Sequence, residues 1–344
     1  MNNSSAFRFD KYTPLKSLSG RWVSLLKWMV LPAALSFLAY KLLTFDQYDE
    51  LIAQWKQLPL SQFWWLGGVF VLLPLNWLFE AAKWKQLVSK IEAINLADSL
   101  KGVLAGISTG FITPNRVGEL VGRVMYLNAG NRKAGVTLSM VNSLTQNIIM
   151  ALCGVPAFML FLGVSNGKIE MNTTPYLIML LAGLFVFGLI YFRLPQLGRW
   201  FKQSSYSEKV MAFTDCLSSY NKQDLLQIML ISLGRYFIFC VQFFFMLRFL
   251  GVELTAWQAF IAIPTTYLFI TFTPSLAFSE VAVRSSYAVL VIGVFSNQVV
   301  SIALAGMCIW LVNFVIPMLV GLVVLARGKK PESLNVETVT PNLQ

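Results

Sequence analysis

The chain has 344 residues, of which 56% are hydrophobic and 12% are charged, and its formal net charge is +11. Soluble domains are about 45–50% apolar and about 25% charged, so this composition excludes an ordinary soluble protein and predicts a multi-pass membrane protein. The sequence contains no histidine, which excludes Ser-His-Asp and Cys-His nucleophilic sites, histidine-ligated zinc and histidine proton relays.

Six apolar stretches are each long enough to cross a bilayer as a helix. A first stretch of this kind near the N-terminus is longer than a signal-peptide core and lacks a small-residue cleavage site, so we interpret it as an uncleaved span. In chain order, the six stretches lie at about 22–44, 63–82, 134–163, 175–192, 225–250 and 301–326.

Two further apolar regions, 102–127 and 256–295, are each interrupted by a Thr-Pro pair. The halves of the first region have roughly twelve residues and cover about 18 Å, which is less than the ~30 Å of a bilayer core. The first region therefore predicts a re-entrant helical hairpin. The second region has room for a hairpin or for two full spans, and the hairpin is the preferred interpretation. The predicted fold is an all-α polytopic membrane protein with about six spanning helices and two re-entrant hairpins.

Lysine and arginine are distributed unequally between the predicted loops. With the N-terminus inside, the inside segments contain eighteen of these residues and the outside segments contain two, Lys56 and Lys168. Because cytoplasmic loops retain an excess of Lys and Arg, we place both termini in the cytoplasm and the chain in the cell (inner) membrane. The same rule accounts for the net charge, so we expect no nucleic-acid partner. The inside segments are 1–21, 83–101, 128–133, 193–224 and 326–344.

The two interrupted regions share a short motif, in which Thr-Pro is followed by a Glu and then by an Arg four residues later. The offset between the two copies is 160 residues at the threonine and 161 at the glutamate and the arginine. By the charge count the two hairpins open to opposite sides, which predicts an inverted repeat with a site near the membrane midplane. The motif residues are Thr113, Pro114, Glu119 and Arg123 in the first copy, and Thr273, Pro274, Glu280 and Arg284 in the second.

The repeat divides one predicted transmembrane domain, residues 21–328, into halves at about 63–163 and 225–326. The polar residues 1–20 and 329–344 have the composition of disordered cytoplasmic tails.

The motif supplies groups that suit a lipid phosphate. Thr113 can cap a helix and Pro114 suits its first position, so the helix would present free N–H groups to an anion. Each Glu and Arg, at i and i+4, share one helical face. Arginine binds phosphate in a bidentate manner. The candidate headgroup-binding residues are therefore Arg116, Glu119, Arg123, Glu280 and Arg284, with Thr113, Pro114, Thr273 and Pro274 as helix starts or hinges. The alternative is that each Glu-Arg pair neutralises itself and only holds its hairpin in the bundle.

Other polar residues lie inside the predicted spans. Asn142 and Gln146 belong to a polar stripe at helical spacing, whose simple role is interhelical hydrogen bonding and whose other role is to line the substrate path. Arg235 lies midway along 225–250, and an arginine at that depth needs a partner. Asn76 and Glu80 lie late in the second span, and for Asn313 a packing role is the preferred interpretation.

The first motif, with Pro114, Arg116, Gly118, Glu119 and Arg123 in this order, resembles the signature of the transmembrane region of lysylphosphatidylglycerol synthases, which defines a wider flippase-like family. The resemblance covers about residues 20 to 328. In the second motif Pro274 and Glu280 match, but Phe278 and Ser279 occupy positions where the family has glycine. No arginine directly precedes Glu280, since Arg284 follows it.

The resemblance implies membrane-lipid translocation without the soluble aminoacyl transferase domain of the bifunctional members. We therefore expect a translocase for a phospholipid or a polyprenyl-phosphate-type lipid, with no cofactor and no metal. The alternatives are an intramembrane lipid-modifying enzyme, with Glu119 or Glu280 as the base, and a non-transporting subunit of lipid or polysaccharide assembly.

Overall fold

The structure is a computed structural model that describes residues 59–111, 113, 116–165, 174–203, 215–273 and 277–327. Helices are the regular secondary structure throughout these ranges, as predicted, and the predicted span at 22–44 lies outside them. The helices are α1 (Phe63–Val88), α2 (Leu96–Gly110), α3 (Gly118–Val124), α4 (Arg132–Ser165), α5 (Thr174–Phe192), α6 (Leu194–Gln203), α7 (Lys222–Phe249), α8 (Ala256–Phe272), α9 (Ala277–Ile292), α10 (Val299–Trp310) and α11 (Ile316–Arg327). A π-helical turn, Leu311–Val315, joins α10 to α11.

Four continuous helical segments in the described part of the chain are long and apolar enough to cross a membrane. They are Leu60–Val88, Ala129–Val164, Lys222–Phe249 and Val299–Arg327, and they match four of the predicted spans. The predicted span at 175–192 forms α5, which continues into α6 across a 54° bend. The predicted boundary at 82 is wrong, because α1 continues for six more residues on the apolar face formed by Trp84, Leu87 and Val88.

The helix boundaries repeat through the chain. When α1 is shifted by 160 residues it covers 223–248, and α7 is Lys222–Phe249. The first residue of α2 becomes residue 256, which is the first residue of α8. Both of these helices begin with a side-chain cap at the same offset: Asn95 accepts from the Asp98 N–H at 2.7 Å, and Thr255 accepts from the Gln258 N–H at 3.2 Å.

The two halves pack crosswise through a pair of glycines. A Cβ on Gly154 of α4 would lie 3.1 Å from the carbonyl oxygen of Pro264 in α8. A Cβ on Gly321 of α11 would collide with the carbonyl oxygen of Leu104 in α2. Leu104 and Pro264 are 160 residues apart, so in each half a repeat-related carbonyl group lies against a glycine of the other half. This reciprocity is the arrangement expected for an inverted repeat.

Helices α1 and α7 are antiparallel along their length. The rings of Phe63 and Phe249 are 5.5 Å apart at one end, and Gln86 donates to Gln227 at 3.0 Å at the other. Midway, Arg235 donates through Nε to Asn76 Oδ1 at 2.8 Å. The residue 160 positions after Asn76 is Tyr236, the neighbour of Arg235. Repeat-related positions therefore contact each other here, which places the approximate two-fold axis at this level.

The first hairpin, α2 and α3, is closely packed. A Cβ on Gly106 would lie 2.7 Å from Arg123 Cγ, and a Cβ on Gly122 would lie 2.6 Å from the carbonyl oxygen of Ala105. Small residues such as Gly106 and Gly122 therefore allow the two helices to pack closely.

The break in the first hairpin precedes α3. Helix α3 begins at Gly118, and Thr113 Oγ1 accepts from the Gly118 N–H at 2.7 Å. Arg116, in the break, has φ +58°. Because this left-handed conformation is costly for a side chain with a Cβ, surrounding contacts must hold Arg116 in place.

The second hairpin, α8 and α9, has helices of 17 and 16 residues. Each is shorter than the ~20 residues of a usual span, which favours the hairpin over two full spans, although the membrane placement stays a prediction. Thr273 shares a hydrogen bond of 2.8 Å with the Tyr287 hydroxyl. The other two predicted hinge residues, Pro114 and Pro274, lie outside the described residues.

Candidate functional site

Eight charged side chains from both halves of the repeat meet where α1, α3, α7 and α9 come together, and we call them the charge cluster. The cluster consists of Glu80 and Lys83 from α1, Arg116, Glu119 and Arg123 from the first hairpin, Arg235 from α7, and Glu280 and Arg284 from α9.

Glu80 is the centre of the first part of the cluster and its side chain is 1% exposed. Its Oε1 accepts from Arg123 Nη2 at 2.5 Å, and its Oε2 lies 2.7 Å from Arg235 Nη1 and 3.0 Å from Lys83 Nζ. Asn142 Nδ2 of α4 adds a hydrogen bond of 2.8 Å to Oε1. One buried carboxylate therefore pairs with two cations of its own half and, through Arg235, joins the two halves of the molecule.

Lys83 is fully buried, since its side chain has 0% exposure. Besides its ion pair with Glu80, its Nζ donates to Gln146 Oε1 at 3.3 Å. The prediction counted Lys83 among cytoplasmic loop residues, and this is wrong because α1 continues past it. The unequal charge distribution survives this correction, with seventeen inside against two outside.

A polar chain extends from Arg235 to the last helical segment. Asn76 accepts from Arg235 Nε and in turn donates through Nδ2 to Asn313 Oδ1 at 3.0 Å. Asn313 lies in the π-helical turn Leu311–Val315, and such turns are frequent at functional sites. Asn313 therefore does more than the packing role preferred from sequence, because it is hydrogen-bonded through Asn76 to Arg235.

Glu280 is the centre of the second part of the cluster. Its two oxygens accept from Arg116 Nη2 at 2.6 and 2.8 Å, and its Oε1 accepts from Arg284 Nη2 at 2.8 Å. The Arg116 guanidinium also lies over the ring of Phe314, 4.0 Å from the centroid. This ion pair connects the two hairpins directly, which accounts for the left-handed backbone at Arg116.

The side chains of the cluster differ in exposure. Those of Glu80, Lys83 and Arg123 are at most 2% exposed, whereas those of Arg235 and Arg284 are 18% exposed and that of Arg116 is 37% exposed. The accessible edge of the cluster therefore consists of three arginines and Glu119, whose side chain is 20% exposed.

Positive charge is in excess in the cluster. Its five cations face three carboxylates, so with all groups ionised the described side chains carry a net charge of +2. Unbalanced charge at this depth is costly unless a partner or water compensates it. Within the described ranges no three His, Cys, Asp or Glu side chains form a metal site. The cluster is thus suited to an anion.

The sequence predicted much of this site. The structure brings together the five candidate headgroup-binding residues and all three candidate path residues, Asn142, Gln146 and Arg235, the last of which has Glu80 as its partner. Both predicted Glu-Arg pairs form, Glu119 with Arg123 and Glu280 with Arg284.

Two central residues, Glu80 and Lys83, were not among the predicted site residues. Their spacing of i, i+3 places them on one helical face. The sequence signal that could have identified them is the set of apolar residues Trp84, Leu87 and Val88. These residues continue the buried face of α1 beyond Glu80 and Lys83, which indicates that both charged side chains lie inside the helix bundle.

Neither the curated proteins nor the solved structures gave a match to this chain. A family model does match: that of the lysylphosphatidylglycerol synthase TM region, over residues 24–321. The match covers both halves of the repeat and every member of the charge cluster. This chain belongs to the family of the lysylphosphatidylglycerol synthase transmembrane region.

Proposed function

We propose that this chain is a lipid translocase that moves a phospholipid or a polyprenyl-phosphate-type lipid between the two leaflets of the cell (inner) membrane. The observation that carries the proposal is the charge cluster, with its excess of arginine, at the junction of two repeat halves. Inverted-repeat transporters bind substrate at such a junction, near the midplane. In this proposal both termini lie in the cytoplasm, as the distribution of Lys and Arg favours.

The depth of the cluster supports a path across the membrane. Arg235 is 13 residues from the first residue of α7 and 14 from the last, or about 20 Å from either end at 1.5 Å per residue. A headgroup held by Arg235 would be midway between the leaflets. A site for a surface lipid would not need charges at this depth, where they are costly.

The proposed mechanism is alternating access around Glu280. This carboxylate pairs with Arg116 of the first hairpin and with Arg284 of its own helix. A lipid phosphate offers the same kind of acceptor as the carboxylate and can replace it on either guanidinium. When a phosphate takes Arg116, the ion pair that joins the two hairpins opens and the hairpins can separate on one side.

We propose a transport function and not catalysis for these carboxylates. Glu80, Glu119 and Glu280 each accept from at least one arginine. Such pairing occupies the carboxylate oxygens with which a general base would accept a proton. Their arrangement favours holding and releasing arginines.

The experiment that tests the function uses liposomes that contain the full chain and fluorescent phospholipids, with dithionite quenching followed over time. Wild type should bring the inner-leaflet label to the outer leaflet faster than protein-free liposomes do. Glu280→Gln and Arg284→Gln should both slow this by at least tenfold, since each changes the exchange between carboxylate and phosphate.

Lys101→Gln is the matched control. It also removes one positive charge, but Lys101 is half exposed and pairs with Asp98 outside the cluster, so transport should be unchanged. Thermal unfolding and gel filtration would show that each variant folds. Wild-type rates equal to protein-free liposomes, for phosphatidylglycerol and for a polyprenyl phosphate, would contradict the proposal and favour the enzyme or subunit alternatives.

A further inference from the structure

The charge balance of the cluster defines the headgroup more narrowly than the proposed function on which this inference rests. We infer that the charge cluster binds a phosphate group that carries two negative charges, a lipid phosphomonoester, in preference to a phosphodiester or a zwitterionic headgroup.

The first observation is that each part of the cluster has one positive charge too many. Around Glu80, three cations face two carboxylates, and around Glu280, two cations face one, within the residues that the structure describes. The two parts are joined through the first hairpin, because Arg116 pairs with Glu280 and Glu119, three residues after Arg116, pairs with Arg123. A single ligand can therefore face both excess charges.

The second observation is that buried donors in the cluster and in the polar residues beside it have no partner among the described residues. Arg123, with a side chain 2% exposed, has Nε and Nη1 without a hydrogen bond. Gln146 Nε2 and Asn313 Nδ2 are also buried and unpaired. Buried donors are nearly always paired in native proteins, so an unpaired group calls for an acceptor, such as the oxygens of an anion.

The third observation is that three of the four most accessible groups of the cluster are arginines, the fourth being Glu119. Arg116, Arg235 and Arg284 are the partly exposed cations, and each has a planar guanidinium that matches phosphate oxygens. A phosphomonoester presents three terminal oxygens and nearly two negative charges. It can therefore occupy two guanidinium groups and neutralise the excess at the same time.

Other common headgroups compensate the charge less completely. A phosphodiester such as phosphatidylglycerol carries one negative charge and leaves half of the excess unbalanced. A zwitterionic phosphatidylcholine adds no net charge and brings an ammonium group close to five cations. At short range and low dielectric, one unit of charge changes the interaction energy enough to alter the binding affinity by more than about tenfold.

The test measures equilibrium binding of fluorescent short-chain lipids to the purified full chain in detergent at pH 8. The probes are phosphatidic acid, phosphatidylglycerol and phosphatidylcholine with identical acyl chains and label. A phosphomonoester loses its second proton near pH 6, so phosphatidic acid is doubly charged in this buffer. We expect phosphatidic acid to bind about tenfold more tightly than phosphatidylglycerol.

Two variants of opposite sign test the charge count. Arg284→Gln lowers the cluster charge by one and should reduce the ratio of the two affinities to about threefold or less, whereas Glu119→Gln raises the charge by one and should increase the ratio. Lys101→Gln is the matched control and should leave the ratio unchanged. Arg284→Lys keeps the charge and should keep most of the ratio. Because the two cluster variants change the ratio in opposite directions, a failure of one to fold leaves the other decisive.

Inorganic phosphate distinguishes a lipid headgroup from free phosphate. We expect it to displace labelled phosphatidic acid only at concentrations at least about a hundredfold higher, since it lacks the acyl chains. Displacement at the same concentration would overturn the assignment to a lipid.

Equal binding of phosphatidic acid and phosphatidylglycerol by wild type would overturn the inference, as would a ratio that neither cluster variant changes. The proposed function is tested separately by the liposome assay. Transport of phosphatidylglycerol without a preference for phosphatidic acid would overturn the headgroup inference alone. A charge-dependent preference without transport would overturn the translocase alone.

Discussion

The two hairpins have the same order of motif residues but different surroundings. In the first, Glu119 and Arg123 lie against Glu80, and Arg123 is 2% exposed. In the second, Glu280 and Arg284 bind no carboxylate of α7, since Cys240 stands 160 residues after Glu80. Arg284 is 18% exposed, and Glu280 instead accepts from Arg116 of the other hairpin. The arginine of the motif is thus buried in the first copy and partly exposed in the second, whereas the glutamate is 20% exposed in the first copy and 9% exposed in the second.

The residues at the helix-helix contacts also differ between the two hairpins. Gly106, Gly118 and Gly122 allow α3 to approach α2 closely, and the corresponding residues of the second hairpin are Thr266, Ser279 and Val283. Residues without a Cβ permit backbone contact, whereas larger ones keep helices apart. The glycines of the first hairpin thus allow a closer approach of its two helices than the larger residues at the corresponding positions of the second.

The largest expected effect on stability comes from variants of the buried ion pairs between the first hairpin and Glu80. Glu80→Gln removes the negative charge that two buried cations and the partly exposed Arg235 share, and Arg123→Gln leaves two carboxylates without their shared partner. Because an uncompensated buried charge costs about 3–5 kcal/mol, both variants should lose most folded protein, measured as the monodisperse fraction in gel filtration and the thermal unfolding midpoint. Glu253→Gln, at an exposed carboxylate, is the control. Wild-type stability in Glu80→Gln would contradict the structural role.

A second prediction concerns helix packing. Gly122→Val gives the first hairpin the residue that the second has at Val283, and its side chain would meet the carbonyl oxygen of Ala105 at 2.6 Å or closer. Overpacking of this kind costs about 1–3 kcal/mol or more, so the unfolding midpoint should fall clearly. Val283→Ala, at a half-buried position, should fall less. A reversed order of the two variants would show that the second hairpin is the more tightly packed.

The third prediction measures the link between the hairpins. Arg116→Gln, Glu280→Gln and the double variant form a thermodynamic cycle for one ion pair between the two hairpins. We expect a coupling energy of about 1–2 kcal/mol, within the range of contacting charged pairs, because Arg116 is only partly buried. The measurement is thermal or denaturant unfolding in detergent. Additive effects of the two single variants would mean that the pair does not join the hairpins.

The smallest effect is expected at the edge of the first hairpin. A hydrogen bond from the Lys101 ammonium holds the pKa of Asp98 below its ordinary value, but both side chains are more than 40% exposed. A lowered carboxyl pKa contributes stability above the unfolded value, near pH 4, and this contribution is lost as pH falls through the folded value.

For this exposed pair we expect Lys101→Gln to cost about 0.5 kcal/mol or less at pH 7. The difference between wild type and variant should shrink below about pH 4. Unfolding midpoints at pH 7 and pH 3.5 measure it. A variant that is as destabilised as Arg123→Gln would contradict the distinction between surface and cluster charges.

The sequence by itself determined the class of the fold and half of the site. Composition and hydropathy require a membrane protein, because so apolar a chain cannot be solvated as a soluble domain. The Glu-Arg spacing of four residues fixes each pair on one helical face. The order of Pro114, Arg116, Gly118, Glu119 and Arg123 is sufficient to indicate the family.

Only the tertiary structure decided which charges meet. Glu80 contacts Arg235, 155 residues away, and Arg116 contacts Glu280, 164 residues away, and no local pattern specifies such pairs. The tertiary structure also decided that α1 continues beyond Lys83, since a buried lysine is stable there only with the carboxylate of Glu80 beside it. The physical reason is that helical periodicity acts over a few residues, whereas the compensation of a buried charge depends on helices that are distant in sequence.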